Sequence, residues 1–336
     1  MRFCLTDAGG TAMAYKDTDY MYSSARVRAL ETKLLGAEQF AQLIDAPTSA
    51  DAEALLSDAM PPVYNAEGNF DLEATLDAFL SEAFGLVESI APDPSLFRFL
   101  RYEFDANNVK AAIKADFAGI SADDMLFACG SVPSAAAAAA VRDKDFSAYP
   151  AHMAAAAAAA MEACAATGDP QKIDLLLDRA AFADMLDAVR AEPLLLEIVR
   201  QKIDAVNVLT MLRLIDAGQT GLAPEALLPL GNVPAETYFA AESRAELAGL
   251  LRYGPAAGLA ALLEVEPPMP FAALERAADE MQLSLIQKTR FVPFGLPVLC
   301  GYLLSALYQV KNLRIIFSLR ALGSDGAAIR ERMRNG

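Results

Sequence analysis

Three short phrases of similar sequence recur about a hundred residues apart in this chain, each within a pattern typical of an α-helix. The first is 105–109 (DANNV), the second is 204–208 (DAVNV), and the third, a looser match, is 309–313 (QVKNL). Each phrase carries an asparagine that is followed eleven residues later by a glycine. Self-similarity at a fixed spacing indicates an architecture assembled from like units, whose function lies in a surface that the units make together. A single enzyme pocket is not the usual product of such a pattern.

Two further features repeat at the same interval. A Gly-x-Val-Pro turn follows the first phrase at 129–133 (CGSVP) and the second at 230–234 (LGNVP). A helical segment at 178–185 (DRAAFADM) resembles 275–281 (ERAADEM). Because these elements recur in the same order, we predict three similar helical lobes with turns at their boundaries. The approximate extents of the lobes are 1–130, 131–234 and 235–336.

Helical periodicity dominates the sequence, and no segment alternates β-branched residues convincingly, so an all-α fold is predicted. The hydrophobic share of 54% and the mean hydropathy of +0.26 come largely from alanine. Alanine favours helices but contributes little transfer free energy, so the runs at 134–141 and 154–160 predict closely packed helices. Ser23 and Ser24 are the predicted N-cap residues of the first helix. The predicted helices cover about 25–35, 72–87, 95–118, 173–189, 193–216 and 271–289, and the last begins near 298.

One uncharged segment, 291–310, is long enough to be considered as a membrane span. Pro293 and Pro297, together with two glycines, interrupt its first half, so a helix is expected only from about residue 298 onward. We therefore expect a buried helix here, and a membrane-spanning helix is the alternative.

The net charge of −16 argues against binding to nucleic acid or directly to an anionic lipid surface, because like charges repel. A basic or neutral partner is expected instead. The four cysteines are far apart and form no Cys-x-x-Cys pair, which favours neither a disulfide framework nor a zinc site. A reducing cytoplasm fits this usage best.

No constellation for catalysis can be identified, and no cofactor, metal or small-molecule substrate is predicted. The sequence has neither a P-loop nor a dinucleotide-binding glycine pattern. His152, the one histidine, has no orienting carboxylate or nucleophile that spacing could identify. Asp123 and Asp124 lack a further aspartate one helical turn away, so they are interpreted as the first turn of a helix capped by Ser121.

The repeated polar residues are the main candidates for a structural or binding role: Asp105, Asn108, Asp204, Asn207 and Asn312. Asparagine is a poor residue for a helix interior, so its recurrence needs a physical reason. Each side-chain amide is expected to bond to the backbone of a neighbouring helix or loop and to fix its lobe. Contact with a ligand is the alternative.

Five segments carry a resemblance to a known family: 25–35 (ARVRALETKLL), 102–110 (YEFDANNVK), 290–295 (RFVPFG), 310–316 (VKNLRII) and 329–334 (IRERMR). In them the chain resembles the C subunit of the V-type and A-type rotary ATPases, a family that includes the d subunit of the eukaryotic V-ATPase. The resemblance extends over nearly the whole length. It implies an all-α funnel of three similar lobes around a pseudo-threefold axis.

The resemblance also implies a non-catalytic coupling role at the cytoplasmic face of the membrane. The partners would be the central shaft subunits and the membrane proteolipid ring, with torque passing from one to the other. Arg26, Arg28, Tyr102, Arg290 and Arg314 are the residues expected to make contacts between lobes or with partners. A cytosolic helical-repeat scaffold that binds protein partners is the principal alternative, and a helical enzyme with an unrecognised carboxylate site is another.

Overall fold

The computed structural model describes residues 3–6, 12–266 and 268–334. Apart from one short hairpin, the regular structure of these residues is helical, so the predicted all-α class is confirmed. Strands β1 (Phe3–Thr6) and β2 (Ala12–Tyr15) pair antiparallel, with Phe3 opposite Tyr15. The hairpin was not predicted, because these segments hold almost no β-branched residues.

Sixteen α-helices and four short 3-10 helices make up the rest of the regular structure in the described residues. The α-helices are α1 (Met21–Glu31), α2 (Ala37–Asp45), α3 (Ser49–Ala59), α4 (Leu72–Ile90), α5 (Tyr102–Ala118), α6 (Ala135–Asp143), α7 (Ala151–Thr167), α8 (Gln171–Val189), α9 (Pro193–Asp216), α10 (Ala223–Ala226), α11 (Ala235–Tyr238), α12 (Arg244–Leu251), α13 (Ala257–Leu263), α14 (Phe271–Thr289), α15 (Leu296–Ala321) and α16 (Gly326–Arg332). The 3-10 helices are Asp17–Tyr20, Pro94–Arg101, Asp123–Met125 and Thr220–Leu222. No helix in this described part of the chain combines the length and the apolar character needed to cross a membrane.

Two predicted helix starts were wrong, each for a physical reason. Helix α1 begins at Met21, so Ser23 and Ser24 lie inside it, where both side chains are buried and bond to other segments of the chain. The segment before α5 is a 3-10 helix, Pro94–Arg101, rather than the start of a long α-helix. Its buried apolar residues fall three apart, at 96 and 99 and at 97 and 100, which is the repeat of a 3-10 helix.

The three repeated glycines end the three repeated helices in the same way. Gly119, Gly218 and Gly323 follow the last residues of α5, α9 and α15 and adopt left-handed φ angles of 68°, 67° and 73°. The N–H after each glycine bonds back to a carbonyl five residues earlier, at 2.8–3.0 Å. This is the Schellman motif, in which a residue without a Cβ atom is favoured.

The chain divides into two compact units. Unit 1 comprises Met1–Pro94 and Pro270–Gly336, and unit 2 comprises Ser95–Met269. In unit 1, helix α15 is buried along most of its length and packs against α1, α2, α4, α14 and α16. A Cβ atom on Gly301 of α15 would overlap the Thr289 side chain of α14, so this glycine permits a close helix contact.

Unit 2 is built around α5, α7 and α8. The two alanine-rich runs form α6 and α7, as predicted, and α7 packs along α8. The core contains Val109, Met153 and Leu177 together with buried alanines that include Ala157 and Ala160. Small side chains let helix axes approach closely. The helices of unit 2 can therefore bury a core made largely of alanine side chains. The division into three lobes stays a prediction.

Candidate functional site

The asparagine of each of the first two repeated phrases binds both backbone groups of one later residue. Asn108, on α5, accepts a hydrogen bond at Oδ1 from the Phe127 N–H (2.7 Å) and donates from Nδ2 to the Phe127 carbonyl (2.9 Å). Asn207, on α9, makes the same pair of bonds with Leu228, both at 2.8 Å. Both asparagine side chains are buried. An irregular loop is thereby fixed to a helix through groups that the loop could not pair by itself.

The third asparagine repeats the arrangement in unit 1. Asn312, on α15, accepts from the Arg334 N–H at 2.9 Å and donates to the Arg334 carbonyl at 3.0 Å. The bound residue lies 19, 21 and 22 positions after Asn108, Asn207 and Asn312, respectively. We call the three arrangements amide clamps, each consisting of one of these asparagines and the residue that it binds. The sequence repeat therefore corresponds to a repeated hydrogen-bond pattern.

A carboxylate on the same face as each of the first two clamps holds the Gly-x-Val-Pro turn. Oδ1 of Asp105 accepts from the Val132 N–H at 3.1 Å, and Oδ1 of Asp204 accepts from the Val233 N–H at 2.9 Å. Each valine lies five residues after the residue that its amide clamp binds. An Asp-x-x-Asn pair thus places two side chains one helical turn apart and fixes the following loop at two points.

The glycine of each turn is explained by the carboxylate beside it. A Cβ atom on Gly130 would overlap Oδ1 of Asp105, and one on Gly231 would overlap Oδ1 of Asp204. Neither glycine adopts a positive φ. The turn therefore needs glycine for a close approach of backbone to side chain, and not for an unusual backbone conformation.

The third copy is completed by residues from the other end of the chain. Gln309 stands where the first two copies have aspartate, and its Oε1 accepts from the Leu35 N–H at 2.7 Å. Gly36 follows as the N-cap of α2, just as Pro133 and Pro234 shortly precede α6 and α11. Each repeated helix therefore holds the segment that leads into another helix. In unit 1 this segment comes from the N-terminal part of the chain and leads into α2.

Burial governs the protonation of the two repeated aspartates. Removal from solvent raises the pKa of Asp105 and of Asp204 above the ordinary value, although the donated hydrogen bonds act in the opposite direction. The folded state then retains a proton that the unfolded state has released. We expect the contribution of such a carboxyl to the free energy of unfolding to fall as the pH rises from about 3.9 to its folded pKa.

This pH dependence is tested with Asp204→Asn, which removes the titration. Urea unfolding of the wild-type chain and the variant at several values between about pH 4 and pH 7 gives the difference in free energy of unfolding between them. The difference should shift in favour of the asparagine variant as the pH rises and should become constant above the folded pKa. A difference that is independent of pH would contradict the raised pKa.

Two of the residues predicted as contacts between lobes or with partners join distant segments of unit 1. The guanidinium of Arg28 donates to the carbonyls of Thr289 (2.9 Å) and Val292 (2.7 Å), where α14 ends. Arg314, on α15, binds Glu73 of α4 with Nε to Oε2 at 2.9 Å. Cationic groups at a helix C-terminus satisfy carbonyls that the helix leaves unpaired.

The other three predicted contact residues are placed differently. Arg26 and Arg290 are exposed. Tyr102 is the first residue of α5 and packs against the core of unit 2, and burial raises the pKa of its phenol. A role for Arg26, Tyr102 or Arg290 in contacts with partners stays a prediction.

Two further arginines make contacts that the sequence did not reveal. Arg320 donates to the carbonyls of Ile44 and Ala46, both at 2.8 Å, at the C-terminal end of α2. Arg179 donates to the Leu227 carbonyl at 3.0 Å, just after α10. Both contacts repeat what Arg28 does at α14, but an arginine at a helix end and one facing solvent look the same in sequence.

The described part of the chain contains no group of three or more His, Cys, Asp or Glu side chains placed to hold a metal ion. Cys129, Cys164 and Cys300 are buried, and none of the three forms a disulfide with another described residue. His152 is half-exposed, and its Nε2 lies 3.0 Å from Oδ2 of Asp187. The hydrogen bonds described above join the repeated polar side chains to backbone groups of the protein itself and so position its loops.

Comparison with known proteins gives a consistent result along most of the chain. A family model described as "ATP synthase (C/AC39) subunit" matches residues 23–332. The C subunit of the A-type ATP synthase of Thermococcus kodakarensis is 26% identical over 334 residues, covering 94% of this chain and 91% of the relative. The protein of the same name from Desulfurococcus sp. is 25% identical over 338 residues, with coverages of 94% and 91%. That of Methanocaldococcus jannaschii is 30% identical over 134 residues, 37% of this chain and 34% of the relative.

Proposed function

The chain belongs to the ATP synthase (C/AC39) subunit family, and from that premise we propose that it is a non-catalytic central-stalk subunit of a V/A-type rotary ATPase. In this role it seats the rotating shaft on the membrane proteolipid ring and transmits torque for ion transport. The observation that carries the proposal is the family match, which extends over residues 23–332. The relatives are named as subunits of an ATP synthase.

The repeated clamps support a mechanical role. A subunit that transmits torque must resist deformation of its loops as well as of its helices. Each amide clamp uses two hydrogen bonds to hold one loop residue, and the neighbouring Asp105, Asp204 or Gln309 adds a second attachment point. Buried hydrogen bonds of this kind are costly to break, because an orphaned donor or acceptor remains. Three similar lobes around a pseudo-threefold axis would distribute such loops around the shaft.

The charge of the chain supports membrane association through the ring rather than through lipid. A net charge of −16 disfavours direct contact with an anionic bilayer, whereas it suits basic or polar loops of partner subunits. Exposed ion pairs contribute little each, so specificity would come from shape and apolar contacts. The chain would then be peripheral, at the cytoplasmic face of the membrane.

The proposal is tested by purification from the native host. The chain is tagged, the membranes are solubilised in mild detergent, and the co-purifying proteins are identified and quantified by mass spectrometry. We expect the catalytic and proteolipid subunits of the rotary ATPase at a fixed ratio to the chain. Depletion of the chain should abolish ATP-driven ion transport while the catalytic subunits still hydrolyse ATP.

A chain recovered from the cytosol without any of these subunits would overturn the coupling role and favour a free helical-repeat scaffold. A tagged unrelated cytosolic protein of similar net charge is the control, because it reports subunits that are retained non-specifically.

A further inference from the structure

Unit 1 contains an open groove of about 740 Å³. One wall is α2, which contributes Phe40, Ala41 and Ile44, and the other is the C-terminal half of α14, which contributes Leu283 and Ile286. Helix α15 packs against both α2 and α14 and also contributes residues to the lining. The amide clamp of Asn312 also borders the groove, so the groove rests on a fixed part of unit 1.

Both walls present side chains at the spacing of one helix face. The lining residues of α2 fall at 37, 40, 41 and 44, and those of α14, with the residue that follows it, fall at 283, 286, 287 and 290. Each set follows the i, i+3, i+4, i+7 pattern. Two helical stripes that line one groove are the arrangement against which a third helix can pack its side chains.

The charged residues of the groove leave one cation unneutralised. Glu31 pairs with Arg28, and Arg330 and Arg334 pair with aspartates of unit 1. Arg290 is exposed, and it forms no ion pair with any residue that the structure describes. A ligand of this groove would therefore gain most from a carboxylate placed near Arg290.

The polar lining favours a peptide over an acyl chain. Ser305 of α15 and Gln287 of α14 line the groove, and neither side chain is hydrogen-bonded to another described residue. An acyl chain would bury these groups without partners, at a cost in free energy, whereas polar side chains of a helix can bond to them. Phe291, next to Arg290, is 89% exposed and provides an aromatic group near the same position.

We propose that this groove binds an amphipathic helix of a partner protein, with its apolar face between α2 and α14 and an acidic residue paired with Arg290. The mode is that of a helix lying in a groove between two others. The inference goes beyond the coupling role, because that role rests on the family match and not on this groove.

Site-specific photo-crosslinking in native membranes tests the proposal. Benzoylphenylalanine replaces Gln287 in the full-length chain, and after illumination the crosslinked segment is identified by mass spectrometry. The matched control carries the same group in place of Lys288, which is exposed on the same helix but does not line the groove. We expect the groove position alone to capture a segment with apolar residues at helical spacing and an Asp or Glu within one turn.

Charge variants make the test decisive. Arg290→Glu should lower the crosslinking yield by about tenfold, because attraction becomes repulsion, whereas Arg290→Lys should keep most of it. Because Arg290 is exposed, both variants should fold, which circular dichroism verifies. Replacing the acid of the captured segment with arginine should restore capture by Arg290→Glu.

Three outcomes would overturn the proposal: no adduct at residue 287, an adduct with the mass of a lipid acyl chain, or capture that Arg290→Glu leaves unchanged. The coupling role has its own test in the purification experiment. The two proposals can therefore fail separately.

Discussion

Replacing Asn207 with alanine is expected to lower the free energy of unfolding by about 3 kcal/mol, because the change leaves the backbone N–H and C=O of Leu228 without partners. The asparagine is fully buried and Leu228 is 4% exposed, so water cannot easily replace the lost bonds. The better helix propensity of alanine would recover only a few tenths of this. Denaturation in urea, followed by circular dichroism, measures the difference.

The repeated helices offer graded controls. Asn108→Ala should cost less than Asn207→Ala, about 2 kcal/mol, because its bonds to Phe127 are only partly buried. Asn107→Ala, next to it on α5, removes an exposed asparagine and should be neutral or slightly stabilising. If Asn207→Ala were as mild as Asn107→Ala, the amide clamp would not be what holds the loop to the helix.

The positions of the repeated residues were predictable because each is set by a local rule. The left-handed backbone conformation after each repeated helix favours glycine at 119, 218 and 323. In the sequence, each of these glycines lies eleven residues after the repeated asparagine. Likewise, Phe271–Thr289 was predicted correctly because its sequence at 275–281 resembles 178–185 of the helix in unit 2. Where local chemistry and tertiary packing agree, a single sequence is informative.

The partners of those residues were not predictable, because they depend on how irregular loops return to the helix. The bound residues Phe127, Leu228 and Arg334 have nothing in common as side chains, since the bonds go to their backbone. The segment between each asparagine and the residue that it binds also varies in length. Sequence similarity therefore marks the asparagine and gives no sign of the residue that it holds.

The contact between Gln309 and Leu35, which completes the third copy, could not be predicted from the sequence for a different reason. Gln309 and Leu35 lie 274 positions apart, and no periodic pattern connects them. The substitution of glutamine for the aspartate of the other two copies was the one available signal. A longer side chain at that position indicates a partner at a different distance, but it does not identify an N-terminal turn.

Substitution of Gly231 by alanine is the second change with a large expected effect, a loss of about 2–3 kcal/mol. The new methyl group would overlap Oδ1 of Asp204 and lie about 3.1 Å from Cγ2 of Ile203. The carboxylate would have to move, and its bonds to the N–H groups of Asn232 (3.1 Å) and Val233 (2.9 Å) would be lost or lengthened. Both the turn and the buried aspartate would then be left with poorly satisfied groups.

Gly85→Ala is the matched control, because Gly85 lies within α4 and a Cβ atom there would meet nothing within 4 Å. It should stabilise the chain by up to about 1 kcal/mol through helix propensity. A double-mutant cycle then isolates the cause: in an Asp204→Ala background, Gly231→Ala should cost much less than in the wild-type chain. Equal costs in the two backgrounds would mean that the glycine is required by the backbone of the turn and that the carboxylate does not determine it.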